Sequence, residues 1–313
     1  MYLFHVLARM RAWAAFCLCA SILTPLHTTA QTIAPPALEL VVLGSGGPGA
    51  VGRASSSFAI LLDGKPRILV DAGPGAFARV GEEKLSLRDL DIVLLTHLHV
   101  DHAAELPGLV KARAVSIFRP IKFRVFGPSG AERYPSTRRF IDLLFGEQGA
   151  FGYLSDFSAP VSFDTTDIDG GKEKPTVQLL VSENGLRISA IVGHHRDAPS
   201  VIYRVDYHGH SLTFSGDIDA EGLPMLRILA KGTDLLVFNS VVLDPPDSPE
   251  QLYELHTPPR EIGEMARDTG AKQLLLNHLS PAVDNAHEAV LTSIRKSFSG
   301  NVVFSRDRLH MKF

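Results

Sequence analysis

Apolar residues in this chain gather in short runs, and the runs stop where polar chemistry begins. Residues 38–43, 56–62, 67–70, 91–95 and 121–126 read as strands, the second and third forming a hairpin about Asp63-Gly64. A second series at 177–181, 186–192, 200–205, 211–214, 234–239, 272–277 and 302–304 repeats the pattern. Helical periods fall between them at 103–118, 131–145, 260–269 and 285–298. In the first, Leu106, Leu109, Val110, Ala114 and Ile117 share one face; the third has prolines at its start and Gly270 at its end. Residues 146–175, rich in Gly, Asp, Ser and Thr, predict an irregular insertion able to cover a pocket. Several strands followed by strand–helix units, twice over, predict two sheets packed together with helices outside. The ends of those strands then lie along one edge.

The chemistry sits at those ends. Thr96 to His102 reads T-H-L-H-V-D-H and follows the 91–95 strand directly. In extended backbone His97 and His99 point to one side, while Asp101 and His102 come after the chain has turned. Imidazole with a hard oxygen ligand suits zinc, and two neighbouring ligand sets suit a pair of metals. Other strand ends carry Asp71 in D-A-G-P-G, His194-His195, Asp217 in S-G-D, and His278. Asp71 reads either as a turn cap or as a carboxylate holding a metal-bound histidine in its tautomer. His208 and His210 read as turn residues, and His287 and His310 as surface or core residues. Gly44 to Gly49 follow a strand but lack the Lys-Ser/Thr of a P-loop and the helix of a dinucleotide fingerprint. They predict a flexible loop bordering the pocket.

Composition narrows the classes. The 313 residues are 45% hydrophobic and 21% charged, enough to bury a large core. With a net charge of −3 and no long Lys/Arg block, the chain has no electrostatic footprint for long nucleic acid. Residues 1–30 have the pattern of a signal peptide: Arg9 and Arg11, an apolar stretch at 14–23, and Thr28-Thr29-Ala30 before Gln31. A periplasmic or secreted protein follows, with residues 31–313 as one catalytic domain and no membrane association once the leader is removed. Both cysteines, Cys17 and Cys19, fall within that leader. Any metal must then be held by His, Asp, Glu or water.

On these motifs the chain resembles the metallo-β-lactamase-fold hydrolases over nearly all of residues 38–313. It is more similar still to their ribonuclease Z-like branch, through L-G-S-G-G-P, D-A-G-P-G, H-H-x-x-x-P-S-x-x-Y-R, S-G-D, H-T-P and L-x-x-H. The resemblance implies an α/β fold, an αββα sandwich of two mixed sheets flanked by helices. It implies one metal on His97, His99 and His195, another on Asp101, His102 and His278, and Asp217 between them. His195 is preferred to His194 for its distance to Tyr203-Arg204. Asp101 and His256 are the candidate catalytic residues, His256 resembling a histidine that protonates the leaving group. Two cations ~3.5–4 Å apart can share a water and lower its pKa toward ~7. Zinc is the expected pair, with manganese or iron as alternatives.

The bridging Asp217 argues against a true β-lactamase, and the T-P-G-H stretch of lactone and thioester hydrolases is absent. The Gly/Pro-rich arm that grips transfer RNA is not apparent either. The expectation is an exported phosphodiesterase acting on a small phosphodiester through a metal-bridged hydroxide. An ester, aryl sulfate or lactone hydrolase is the alternative within the fold, and a non-catalytic metal- or ligand-binding protein the alternative of another class. Relatives often dimerise, so a homodimer stays open, with no stretch marking an interface.

Overall fold

The apolar runs become strands close to where their pattern puts them. A computed structural model describes residues 37–49, 51–170 and 175–313. The leader and both cysteines lie outside the described residues. The first half supplies β1 (Leu38–Gly44), β2 (Ser57–Leu62), β3 (Lys65–Val70), β4 (Ile92–Leu94), β5 (Ile121–Pro128) and β6 (Val161–Ile168). The second supplies β7 (Gln178–Glu183), β8 (Leu186–Val192), β9 (Val201–Tyr207), β10 (His210–Phe214), β11 (Leu235–Asn239), β12 (Gln273–Asn277) and β13 (Asn301–Phe304). A last short strand, β14 (His310–Lys312), returns to the first sheet. Asp63 and Gly64 close the β2–β3 hairpin with φ of 49° and 76°, as a tight turn of matching twist requires.

Two seven-stranded sheets result, ordered β14-β1-β2-β3-β4-β5-β6 and β13-β12-β11-β10-β9-β8-β7. In each, antiparallel strands give way to parallel ones, at β3–β4 and at β10–β11. Parallel neighbours need crossover connections, and these carry helices onto the outer faces. Between the sheets Leu40, Ile60 and Ile68 meet Val205, Phe214 and Val237. Separate apolar layers seat the helices on each outer face, among them Leu106 and Val110 on one and Ile262 and Met265 on the other. This is the αββα sandwich of two mixed sheets. Tyr203, fully buried, donates its hydroxyl proton to the Leu95 carbonyl at 3.0 Å, and the Val201 N–H donates to the Thr96 carbonyl at 2.8 Å. The second sheet thus grips the first immediately before His97.

Several expectations change. The helical period at 103–118 is two helices, Val100–Ala103 and Leu106–Val115, because Pro107 starts a new one. The second helix begins at Thr137 rather than at 131, capped by the Ser136 hydroxyl, which accepts from the Arg139 N–H at 3.3 Å. Residues 285–298 hold a helix over His287–Arg295, preceded by a separate turn of helix at Pro281–Asp284. The stretch 146–175 contains β6, whose Val161 and Thr165 face inward in strand alternation. His208 lies in a turn, whereas His210 opens β10. Nor is the glycine-rich loop after β1 free. Asp307 accepts from the Ser45 N–H (3.0 Å), the Ala54 N–H (2.8 Å) and Arg79 (3.0 Å), while Arg53 forms paired bonds of 2.8 Å with Asp284. Charge-assisted bonds of that kind fix a loop.

Candidate metal centre

Asp71 leaves the end of β3 with φ of 56° and reaches across to the turn that follows β4. The Thr96 N–H donates to one of its carboxylate oxygens at 2.7 Å, and the Thr96 hydroxyl to the other at 2.8 Å. This sets the turn. His97 and His99 follow, and Val100–Ala103 then closes into helix, carrying Asp101 and His102 inward. The glycine of S-G-D has a steric reason. Gly216 sits at φ 59°, and a Cβ there would stand 2.8 Å from the Thr96 Cβ. The close approach brings Asp217 against the histidine turn.

The candidate ligands converge. Donor atoms of His97, His99 and His195 lie within 4.8 Å of one another, and so do those of Asp101, His102 and His278. Asp217 stands between the sets. Its Oδ2 lies 3.9 Å from His97 Nε2, 3.8 Å from His195 Nε2 and 3.5 Å from His278 Nε2, while its Oδ1 lies 3.8 Å from His102 Nε2. Asp101 Oδ2 is 3.1 Å from His278 Nε2. His256 is buried beside them, its Nδ1 3.9 Å from Asp217 Oδ2. His194 turns away, with Nδ1 2.7 Å from Asp219 and Nε2 3.4 Å from Glu221. His195 is therefore the member of the pair that faces the cluster.

Further groups hold these side chains in place. The His102 Nδ1–H donates to Asp71 at 2.8 Å and the His195 Nδ1–H to the Leu255 carbonyl at 2.8 Å, so both rings aim Nε2 at the cluster. Asn239 donates to Asp217 Oδ1 at 2.5 Å, and the Tyr134 hydroxyl lies 3.2 Å from His99 Nε2. Asn239, Tyr134 and Leu255 were not singled out in the sequence. Asn239 had a signal, being a polar residue at a strand end like the candidate ligands themselves. Tyr134 lies in a turn with none, and the Leu255 contact is made by backbone.

The model of the beta-lactamase superfamily domain matches residues 66–279. The chain belongs to the metallo-β-lactamase-fold, ribonuclease Z-like family. It is 27% identical over 281 residues to the ribonuclease Z of Mycobacterium avium (strain 104), covering 86% of this chain and 96% of that one. Among solved structures, the metallo-β-lactamase fold protein YhfI from Bacillus subtilis superposes with a TM-score of 0.67 at 19% identity, over 88% of this chain and 99% of the other. Human tRNase Z, short form, gives 0.64 at 21%, over 88% and 98%. These two likenesses carry the fold. The protein is a metal-dependent hydrolase.

The donor set of this ribonuclease Z-like chain fits divalent cations. His102 Nε2 is buried with no hydrogen-bond partner among the described residues, although two carboxylates face it. His97 Nε2 and His99 Nδ1 stand 3.1 Å apart, a spacing at which a shared proton or a cation must relieve the paired nitrogens. Burial pushes the His97 imidazole well below its ordinary value, and its histidine neighbours push it further, leaving the lone pair free for ligation. Burial would raise Asp217, but the four histidines His278, His102, His256 and His97 hold it well below the usual carboxylate range. Burial likewise opposes charge on His102, yet Asp71, Asp217 and Asp101 overcome it and raise that imidazole to about 9. The metal-free centre thus borrows a proton where a cation would supply the charge.

Asp71→Asn keeps an acceptor for the Thr96 N–H but removes the charge that orients His102. We expect metal affinity to fall ~10–100-fold in competition with a chromogenic chelator. An unchanged affinity would show that Asp71 is only a turn cap.

Proposed function

We propose that this protein is an exported phosphodiesterase acting on a small phosphodiester. One observation supports the reading above the others. Two sets of metal donors converge on the single carboxylate of Asp217, with His256 buried alongside. His97, His99 and His195 would hold one divalent cation, Asp101, His102 and His278 the other, and Asp217 would serve both. When bound, such cations acidify a water and polarise a phosphoryl oxygen. The protein's own groups then have separate tasks. Asp71, Leu255 and Asn239 orient His102, His195 and Asp217. Asp101 sits at the open side of its set, with an oxygen to spare for a hydrogen bond to an attacking water. His256 stands where it can pass a proton to the departing alkoxide.

Zinc suits the imidazole-rich donors, with manganese or iron as alternatives. A small substrate is favoured over long RNA by the net charge of −3 and by the lack of a Gly/Pro-rich arm. Export to the periplasm or beyond rests on the leader pattern at residues 1–30, with residues 31–313 as the catalytic domain. No helix among the described residues is long and apolar enough to cross a membrane. A homodimer remains part of the proposal without an assigned interface.

The test is turnover by the purified protein, loaded in turn with zinc, manganese and iron. Bis-p-nitrophenyl phosphate is assayed beside a lactone, a cephalosporin and an aryl sulfate. Phosphodiester hydrolysis should lead, disappear with a chelator and return with metal. No phosphodiester turnover above the metal-free background would overturn the proposal, and a leading rate on the sulfate or lactone would reassign the substrate.

A further inference from the structure

Beside the metal centre lies a second cavity, and its chemistry is different. It measures about 290 Å³, near the ~300 Å³ lower bound of small-ligand pockets. Pro48, Val241, Leu252, Leu279 and Ala282 form its walls, and His256 is the member it shares with the metal centre. Gly47, also in its lining, comes so near His278 that an added Cβ would stand 3.1 Å from the ring. The cavity therefore borders the ligand cluster, with His256 in its lining and His278 behind Gly47.

Its two serines already bond the surrounding backbone. The Ser280 hydroxyl donates to the Val241 carbonyl at 2.6 Å and accepts from the Val283 N–H at 3.3 Å. The Ser248 hydroxyl accepts from the Leu243 N–H at 2.9 Å. Apart from His256, what a guest meets is mostly apolar surface, and the one carboxylate in the lining is that of Asp247, which is exposed. That carboxylate repels a second phosphate, so a polyanionic strand running through the cavity is disfavoured. An uncharged apolar group is favoured.

The geometry points to a leaving-group subsite: the cavity holds the apolar, uncharged alcohol portion of the substrate, of aryl or short alkyl size, with its ester oxygen at His256. This deepens the phosphodiesterase reading and rests on it for the role of His256. The preference for an apolar group rests on the cavity alone.

The experiment compares benzyl phosphate with methyl phosphate, whose alcohols have similar acidity, as inhibitors of bis-p-nitrophenyl phosphate hydrolysis by the metal-loaded protein. Benzyl phosphate should bind at least ~10-fold more tightly, the scale set by a few methylenes in an apolar pocket. Ala282 is exposed at the rim, so Ala282→Phe fills the cavity without disturbing the core, and the benzyl-to-methyl ratio should collapse toward one. Equal inhibition in the unaltered protein, or a preference that survives Ala282→Phe, would overturn the inference. The same two ligands are titrated calorimetrically. Should the phosphodiester not be hydrolysed at all, the functional reading fails, while the calorimetric ratio still decides whether the cavity selects an apolar group.

Discussion

Asp217→Ala is expected to lower phosphodiester turnover on the order of 10³-fold, the scale of removing one member of a preorganised catalytic set. The variant should also retain less metal after dialysis than the unaltered chain. Asp217 is 3% exposed, and imidazoles of both candidate sets lie within 3.9 Å of its Oδ2. Among the described residues, no other carboxylate faces both sets in this way. Without it, cations held by the two sets would lose the negative charge that offsets their repulsion. Asp217→Asn separates shape from charge, because an amide keeps the volume and a partner for Asn239. Both variants should fail alike in metal content if charge is the decisive property. Full metal content together with turnover within tenfold of the unaltered chain would exclude a bridging role for Asp217.

His256→Gln should behave differently, keeping its metals and losing turnover selectively. Burial pushes this imidazole down to about 4, against the opposing pull of Asp217, so it is neutral in the metal-free protein near pH 7. A phosphodiester anion arriving beside it favours the protonated form. The proton would thus be gained with substrate and passed to the departing oxygen. General acid catalysis of this kind contributes ~10²–10⁴-fold where the leaving group is a poor one. An alkyl ester should therefore suffer a loss of that size, and a p-nitrophenyl ester, whose phenolate departs unprotonated, a much smaller one. Equal losses on both esters would exclude the acid role. Loss of bound metal instead would make His256 a ligand, an arrangement its place beside His195 and Asp217 permits.

The candidate site was legible in the sequence because the candidate ligands occupy strand ends, where an apolar run stops on a histidine or aspartate. That signal is local and needs no knowledge of the pairing. His97 to His102 gave it in one stretch, and Asp217 and His278 repeated it singly. What could not be read was the contact made by backbone, such as the Leu255 carbonyl on His195, since a carbonyl leaves no trace in residue type. The choice of His195 over His194 likewise becomes physical only when Asp219 is seen holding the other ring. Among the strands, β6 was hidden in a polar stretch because an edge strand buries few of its residues. Three-residue β14 carries too little alternation to be seen, and its partner β1 lies at the far end of the described chain. Pro107 was visible, yet the apolar period ran through it and masked the break between the two helices.

The clasp of Asp307 on Ser45 and Ala54 bears on how much of the polypeptide the ligand cluster depends on. It joins positions 262 and 253 residues apart, and Ser45 in turn receives the N–H of Leu279, the neighbour of His278. The loop beside the ligand cluster is therefore held by a residue from the opposite half of the sequence. A fragment cut short before Asp307 keeps every candidate ligand but lacks the residue that fixes this loop. Integrity of the candidate metal centre thus depends on a region that supplies none of its candidate ligands.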